Sequence, residues 1–157
     1  MDKVGKVIEI LIANNAKEQL YNLESCRVVE DKGIVGDRYY KQSGTFSEKL
    51  KDQEDFHVTF IEKEEIDAFN KLTGYNYKRD VFRRNIVTSG IKLNDLEGKI
   101  FEVNGVIFHG MRLCEPCRML AYELGEEFLK EMVHKSGLRA KLLSSGKIEL
   151  GSLIKCY

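Results

Sequence analysis

The dipeptide Asn104-Gly105 constrains this chain more than any other short stretch. Asparagine and glycine both tolerate the positive φ that a two-residue hairpin turn demands. Two runs rich in β-formers, residues 100–103 and 106–109, flank the pair. A tight antiparallel hairpin is therefore expected, and it needs further strands to cover it. The rest of the chain supplies them. Residues 4–12 are rich in β-branched residues and stop at Asn14-Asn15, residues 26–29 and 57–61 read as short strands, and the basic segment 78–86 leads into another. Residues 138–143 and 147–154 read as two more, joined around Ser144-Ser145-Gly146.

Helical periodicity is confined to two places. Ile66, Phe69 and Leu72 share one face of a predicted helix over 62–72, with acids in its first turn and Gly74 as its stop. Leu120, Leu124, Phe128 and Met132 recur every fourth residue, widened by Ala121 and Leu129, which predicts one long helix ending near Gly137. Residues 41–55 are polar and read as an exposed loop or lid. Seven or eight short strands, two helices and no regular βαβ alternation predict a mainly β (α+β) fold, a mixed or antiparallel β-barrel, in one domain over residues 1–157.

With 157 residues the chain is long enough for one core. It carries 25 basic and 25 acidic residues, so no general attraction to nucleic acid or an anionic membrane is expected. No apolar run approaches the ~20 residues of a membrane span. The first residues lack signal-peptide character, which predicts a cytoplasmic protein. Thiols are mostly reduced there, so the four cysteines read as catalytic, ligating or buried rather than as a disulfide framework.

Two of them lie in Cys114-Glu115-Pro116-Cys117, between Arg112 and Arg118. Proline favours the first helical position. With Pro116 there, Cys117 would fall in the first turn, where free N–H groups and nearby arginines favour thiolate. Several chemistries fit. Thiol–disulfide exchange is one, because Cys-x-Pro-Cys is similar to thioredoxin-like motifs; that family also uses a second, cis proline, and this chain has only Pro116. Zinc is another, but no second Cys-x-x-Cys pair follows and no zinc is expected. A single nucleophilic or metal-ligating cysteine in a basic pocket is the third. Two small residues packed at a strand–helix corner are the bland alternative.

Wider context favours the third. In order along the chain come Gly33-Ile34-Val35-Gly36-Asp37-Arg38, Arg83-Arg84-Asn85, residues 93–101, Arg112 with Cys114 to Cys117, Gly137-Leu138-Arg139-Ala140 and residues 146–151. This succession resembles the MOSC domain, named for the C-terminal domain of molybdenum cofactor sulfurase, over residues 3–155, and is most similar to small stand-alone bacterial members.

The resemblance implies a strand-rich barrel and one characteristic cysteine that bears a persulfide or ligates molybdenum of a pterin cofactor (molybdopterin). In the Pro-Cys-x-x-Leu pattern, Pro116-Cys117-Arg118-Met119-Leu120, that residue is Cys117. Cys114 either resolves a persulfide by forming a disulfide with Cys117 or only packs. Arginine suits phosphate and pterin by bidentate contact and stacking. Arg83, Arg84 and Asn85 are the leading cofactor-binding candidates, with Asp37 orienting Arg38 and with Arg112 and Arg139 at the same mouth. Pyridoxal phosphate belongs to a desulfurase domain of longer relatives that this sequence does not show. A partner is then expected: a sulfur donor such as a cysteine desulfurase, an electron-donor protein, or a molybdoenzyme. Sulfur carriage, molybdenum-dependent reduction of N-hydroxylated compounds and non-catalytic cofactor delivery all remain open.

Overall fold

The computed structural model describes residues 4–40 and 57–157. The polar loop expected at 41–55 lies outside them. In chain order the strands are β1 (Val4–Ile12), β2 (Tyr21–Leu23), β3 (Ser25–Val29), β4 (Gly33–Ile34), β5 (Val58–Glu62), β6 (Ile86–Ser89), β7 (Ile100–Val103), β8 (Val106–Leu113), β9 (Leu138–Leu142), β10 (Gly146–Glu149) and β11 (Leu153–Cys156). Helix α1 (Lys63–Thr73) follows β5; α2 (Arg118–Leu124) and α3 (Glu126–Glu131) follow β8. Short 3-10 turns occur at Arg79–Phe82 and Leu93–Leu96.

Seven strands close a barrel in the order β1-β11-β7-β8-β9-β5-β6, with β6 returning to β1. The predicted hairpin is β7–β8: Asn104 (φ 50) and Gly105 (φ 79) set Val103 opposite Val106 and Phe101 opposite Phe108. All barrel pairings are antiparallel except β5–β6, whose crossover carries α1. The sheet is therefore mixed. β3 pairs with β4 and β10 in a small second sheet, and β2 adds to β1.

Alternation along the strands divides the apolar residues between two clusters. Ile10, Phe60, Ile86, Phe101 and Phe108 fill the barrel. Phe60 meets Phe101 and Phe108 edge-on at 5.6 and 5.3 Å between ring centroids. Leu11, Ile61 and Val87 face outward instead, beneath Ile66 and Phe69 of α1 and Leu120, Leu124 and Phe128 of α2 and α3. The second half of β1 and most of β5 and β6 are thus buried on both faces.

Three expectations are corrected. The long helix is two helices, broken at Gly125 (φ 90, ψ 165), a conformation open essentially to glycine alone. The break turns Phe128 onto Phe69 and Phe82, at 6.2 and 6.3 Å. The strand expected over 147–154 is two strands in different sheets. Ser152 caps the turn between them: its N–H donates to the Glu149 carbonyl and its hydroxyl accepts the Glu149 N–H. Eleven strands are present among the described residues: residues 26–29 form β3 as expected, 147–154 supplies two, and β2 and β4 are too short for a pattern to register.

Glu62 closes β5 and caps α1 without a side-chain cap bond. Burial pushes its carboxyl up to about 7, reinforced by Glu65 and Glu64 and opposed by the Leu93 N–H and Lys92. The unfolded chain releases this proton near 4.5, so the stability it confers is present below that pH and lost as pH rises through 7. Glu62→Gln should match wild type at pH 4 and exceed it at pH 8. The gain should be about 1 kcal/mol after solvent screening, or roughly 2–4 °C in Tm. Parallel Tm-against-pH curves for the two proteins would contradict this.

Candidate functional site

The arginine segment enters the barrel through a reversal. After the 3-10 turn, Arg83 adopts a left-handed conformation (φ 61), and Arg84 and Asn85 lead directly into β6. Asn85 is fully buried. Its Nδ2 donates to the Leu11 carbonyl at 3.1 Å, and its Oδ1 accepts the Thr59 N–H and hydroxyl, both at 3.1 Å. The Asn85 N–H donates to Thr59 Oγ1 at 3.0 Å. Its carboxamide thus stitches β1 to β5 where the parallel ladder begins. Arg84 is also buried and donates Nε to the Ser136 carbonyl at 2.8 Å. These two of the predicted cofactor-binding residues are engaged within the fold.

Asp37 and Arg38 meet the same end of the barrel. Asp37 is fully buried, with Oδ1 accepting the Ala13 N–H (3.2 Å) and Arg38 Nη1 (3.0 Å) and Oδ2 accepting the Tyr39 N–H (3.2 Å). Arg38 stacks on Tyr39, 4.3 Å from the ring centre, and donates Nη2 to the Arg83 carbonyl at 3.2 Å. Arg83 is half-buried and donates Nη1 to the Glu18 carbonyl at 2.6 Å. Burial, and then the charge of Arg38, lower the pKa of its guanidinium against the opposing pull of Tyr39, Glu123 and Asp37. Arg83 thus lies half-buried beside a second arginine, with a guanidinium able to engage an anion. The same carboxylate acts on β3: burial pushes the Cys26 thiol up to about 11, and Asp37 adds to it. Cys26 is an inert core thiol.

The cysteine stretch leaves β8 at its far end. Cys114 is buried and extends the β8–β9 pairing, donating its N–H to the Gly137 carbonyl at 2.8 Å. Cys117 is the N-cap of α2, extended at φ −119 and ψ 158, and its carbonyl accepts the Ala121 N–H. Pro116 therefore precedes the cap and is not the first helical residue. Cys117 stands at the N-cap, before the first turn, and its side chain makes no cap hydrogen bond. Its half-buried side chain packs against the outer apolar cluster. All four cysteines are free thiols.

These contacts draw most of the predicted residues toward one end of the barrel. Helix α2 begins after Cys117, packs on the turn before Arg83, and carries Glu123, whose charge acts on Arg83. Arg139 lies opposite Thr59 on one side and Arg112 on the other, so Thr59, Arg139 and Arg112 form a row across three strands, with Asn85, just before β6, bonded to Thr59 at its end. Arg112 itself is exposed. Thr59, Tyr39 and Glu18 were not anticipated; a polar residue inside the apolar run 58–61 was the available signal for Thr59. Among the described residues, no group of three His, Cys, Asp or Glu side chains is placed to hold a metal. A cleft of about 620 Å³ between β1, α1 and residues 76–80 lies elsewhere and is lined by neither Cys117 nor Arg83. No helix among the described residues is long and apolar enough to cross a membrane.

The family model described as "MOSC domain" matches residues 47–155. The chain belongs to the MOSC domain family. Solved structures share the fold at low identity. The YuaD protein of Bacillus subtilis is 16% identical with a TM-score of 0.80, over 99% of this chain and 98% of that one. YiiM of Geobacillus stearothermophilus is 16% identical with a TM-score of 0.75, over 98% and 75%. YiiM of Escherichia coli is 14% identical with a TM-score of 0.70, over 100% and 70%. No curated protein matches the sequence.

Asn85→Ala would strand the Leu11 carbonyl and both Thr59 groups in the protein interior. A loss of about 3 kcal/mol, or roughly 6–12 °C in Tm, is expected. An unchanged melting curve would contradict the bracing role.

Proposed function

We propose that this protein binds molybdenum cofactor, or carries sulfur for it, with Cys117 as the reacting or ligating sulfur and Arg83 as an anion receptor. The observation that carries this reading is the half-buried Arg83 beside Arg38, against the helix that Cys117 caps. Membership of a family associated with molybdenum cofactor and sulfur chemistry supports it.

The donor set fits such a ligand. A thiolate is a soft ligand suited to a sulfur-rich metal centre. Guanidinium forks match phosphate oxygens two at a time, whereas a lysine would offer only a point charge. Arg83 would hold the phosphate, Arg38 would sustain the local positive potential, and Cys117 would face the metal end. When bound, the cofactor supplies a molybdenum centre able to accept a thiolate ligand and exchange sulfur. Asp37 serves indirectly: by binding Arg38, it fixes the arginine that holds the Arg83 carbonyl. Asn85 and Arg84 brace the segment from behind.

Sulfur carriage needs only the chain's own thiol and a donor. The Cys117 thiolate attacks the terminal sulfur of a donor persulfide, R–S–SH. A new S–S bond forms at Cys117, the old one breaks, and the donor leaves as R–S⁻. A thiolate is the nucleophile in this exchange. The four reduced cysteines fit a cytoplasmic setting, where such donors operate.

Purification from a host that makes the cofactor separates these roles. Near-equimolar molybdenum and pterin would support cofactor binding. Their absence, with a persulfide on Cys117 after incubation with a cysteine desulfurase, would support sulfur carriage. Cys117→Ser should abolish whichever is found; a variant that loses neither would overturn the assignment.

A further inference from the structure

The turn at residues 132–137, after α3, is gripped from three directions. Asn94 donates Nδ2 to the His134 carbonyl at 2.8 Å. Arg84 donates Nε to the Ser136 carbonyl at 2.8 Å, from the arginine segment. The cysteine stretch grips it twice. Cys114 donates its N–H to the Gly137 carbonyl, and Glu115 takes hold of His134. The Glu115 carboxylate collects three contacts from that one residue. The His134 N–H donates to Oε1 at 3.2 Å and to Oε2 at 3.4 Å, and the ring Nδ1 lies 3.1 Å from Oε1. An ionised carboxylate only accepts, so Nδ1 carries the proton. His134 holds a left-handed backbone (φ 60), which a residue with a β-carbon adopts at a cost.

We propose that Glu115 and His134 are positioning residues, which fix the loop bearing Cys117 against this turn and, through Arg84, against the arginine segment. The proposal rests on the reading of Cys117 as the reactive sulfur. The side chains of His134 and Glu115 are 71% and 46% exposed, so the pair adds little to global stability. What it does is orient. Glu115 lies two residues before Cys117, and Pro116 between them restricts the backbone. With Cys114 and Glu115 both pinned, the exit direction of the chain toward Cys117 is set. Releasing Glu115 frees a half-buried thiol to swing outward without opening the core.

The test is the rate of iodoacetamide alkylation at each of the four cysteines, read by mass spectrometry on the full-length protein, with Tm measured alongside. Glu115→Ala should speed Cys117 by about threefold to fivefold, the range an exposed pair of this kind supports, with Tm nearly unchanged and the other cysteines unaffected. His134→Gly keeps the positive φ and the backbone N–H but removes the ring, and should speed Cys117 by about twofold. His134→Asn keeps a donor and tolerates the left-handed conformation, so it should restore a near wild-type rate. An unchanged Cys117 rate in both Glu115→Ala and His134→Gly overturns the proposal. So does acceleration of all four cysteines together with a fall in Tm, which would mark general loosening. Sulfur loading of wild-type Cys117 is assayed in parallel: if Cys117 takes up no sulfur yet Glu115→Ala still speeds its alkylation, the sulfur reading fails and the positioning role stands.

Discussion

Closure of the barrel through β1 is the constraint on which the rest depends. One edge of β1 pairs with β11 over Val4–Lys6 and then with β2 over Ile10–Ile12, while the other edge pairs with β6. Between the two shared stretches, Val7 exchanges backbone bonds with the β10–β11 turn, donating to Ser152 and accepting from Gly151. A buried strand must satisfy its backbone groups along both edges, and here four separate segments do so. The end of β1 is consequently fixed, and the site is assembled on it: Leu11 receives Asn85, and Ala13 receives Asp37 and Arg38.

A buried carboxylate is expensive unless its lone pairs are met. Asp37 meets this with two backbone N–H groups and one guanidinium. Removing either member of such a pair is far more damaging than the pair is stabilising. Its value here is placement. Arg38 is held so that it reaches the Arg83 carbonyl, and Arg83 is left half-buried beside it. A lysine at either position would lose the planar fork that makes two directed contacts at once.

Local signals in the sequence carried the fold where one short stretch decided the outcome. The β7–β8 hairpin follows from two turn residues, and α1 ends at Gly74 with a left-handed backbone as its composition implies. Features set by distant partners were not legible. The apolar spacing from Leu120 to Met132 runs straight through Gly125, and only the need to seat Phe128 against Phe69 reveals the break. Asp37, Arg38 and Arg83 were readable as residue types, but their union depends on chain segments 45 residues apart. Asn85 was readable as a ligand candidate, and its engagement with Thr59 and Leu11 was not. The Glu115–His134 contact spans 19 residues and has no sequence signature at all.

Whether Cys117 and Arg83 serve one ligand is decided most directly by cofactor retention. Cofactor released from a molybdoenzyme is added to wild type, Cys117→Ser, Arg83→Ala and the double variant, and molybdenum and pterin are measured after gel filtration. Near-equimolar retention by wild type, a loss in each single variant and little further loss in the double variant is the predicted result, because residues acting on one ligand are not additive. Full retention by both single variants, or none by wild type, would contradict a shared cofactor site.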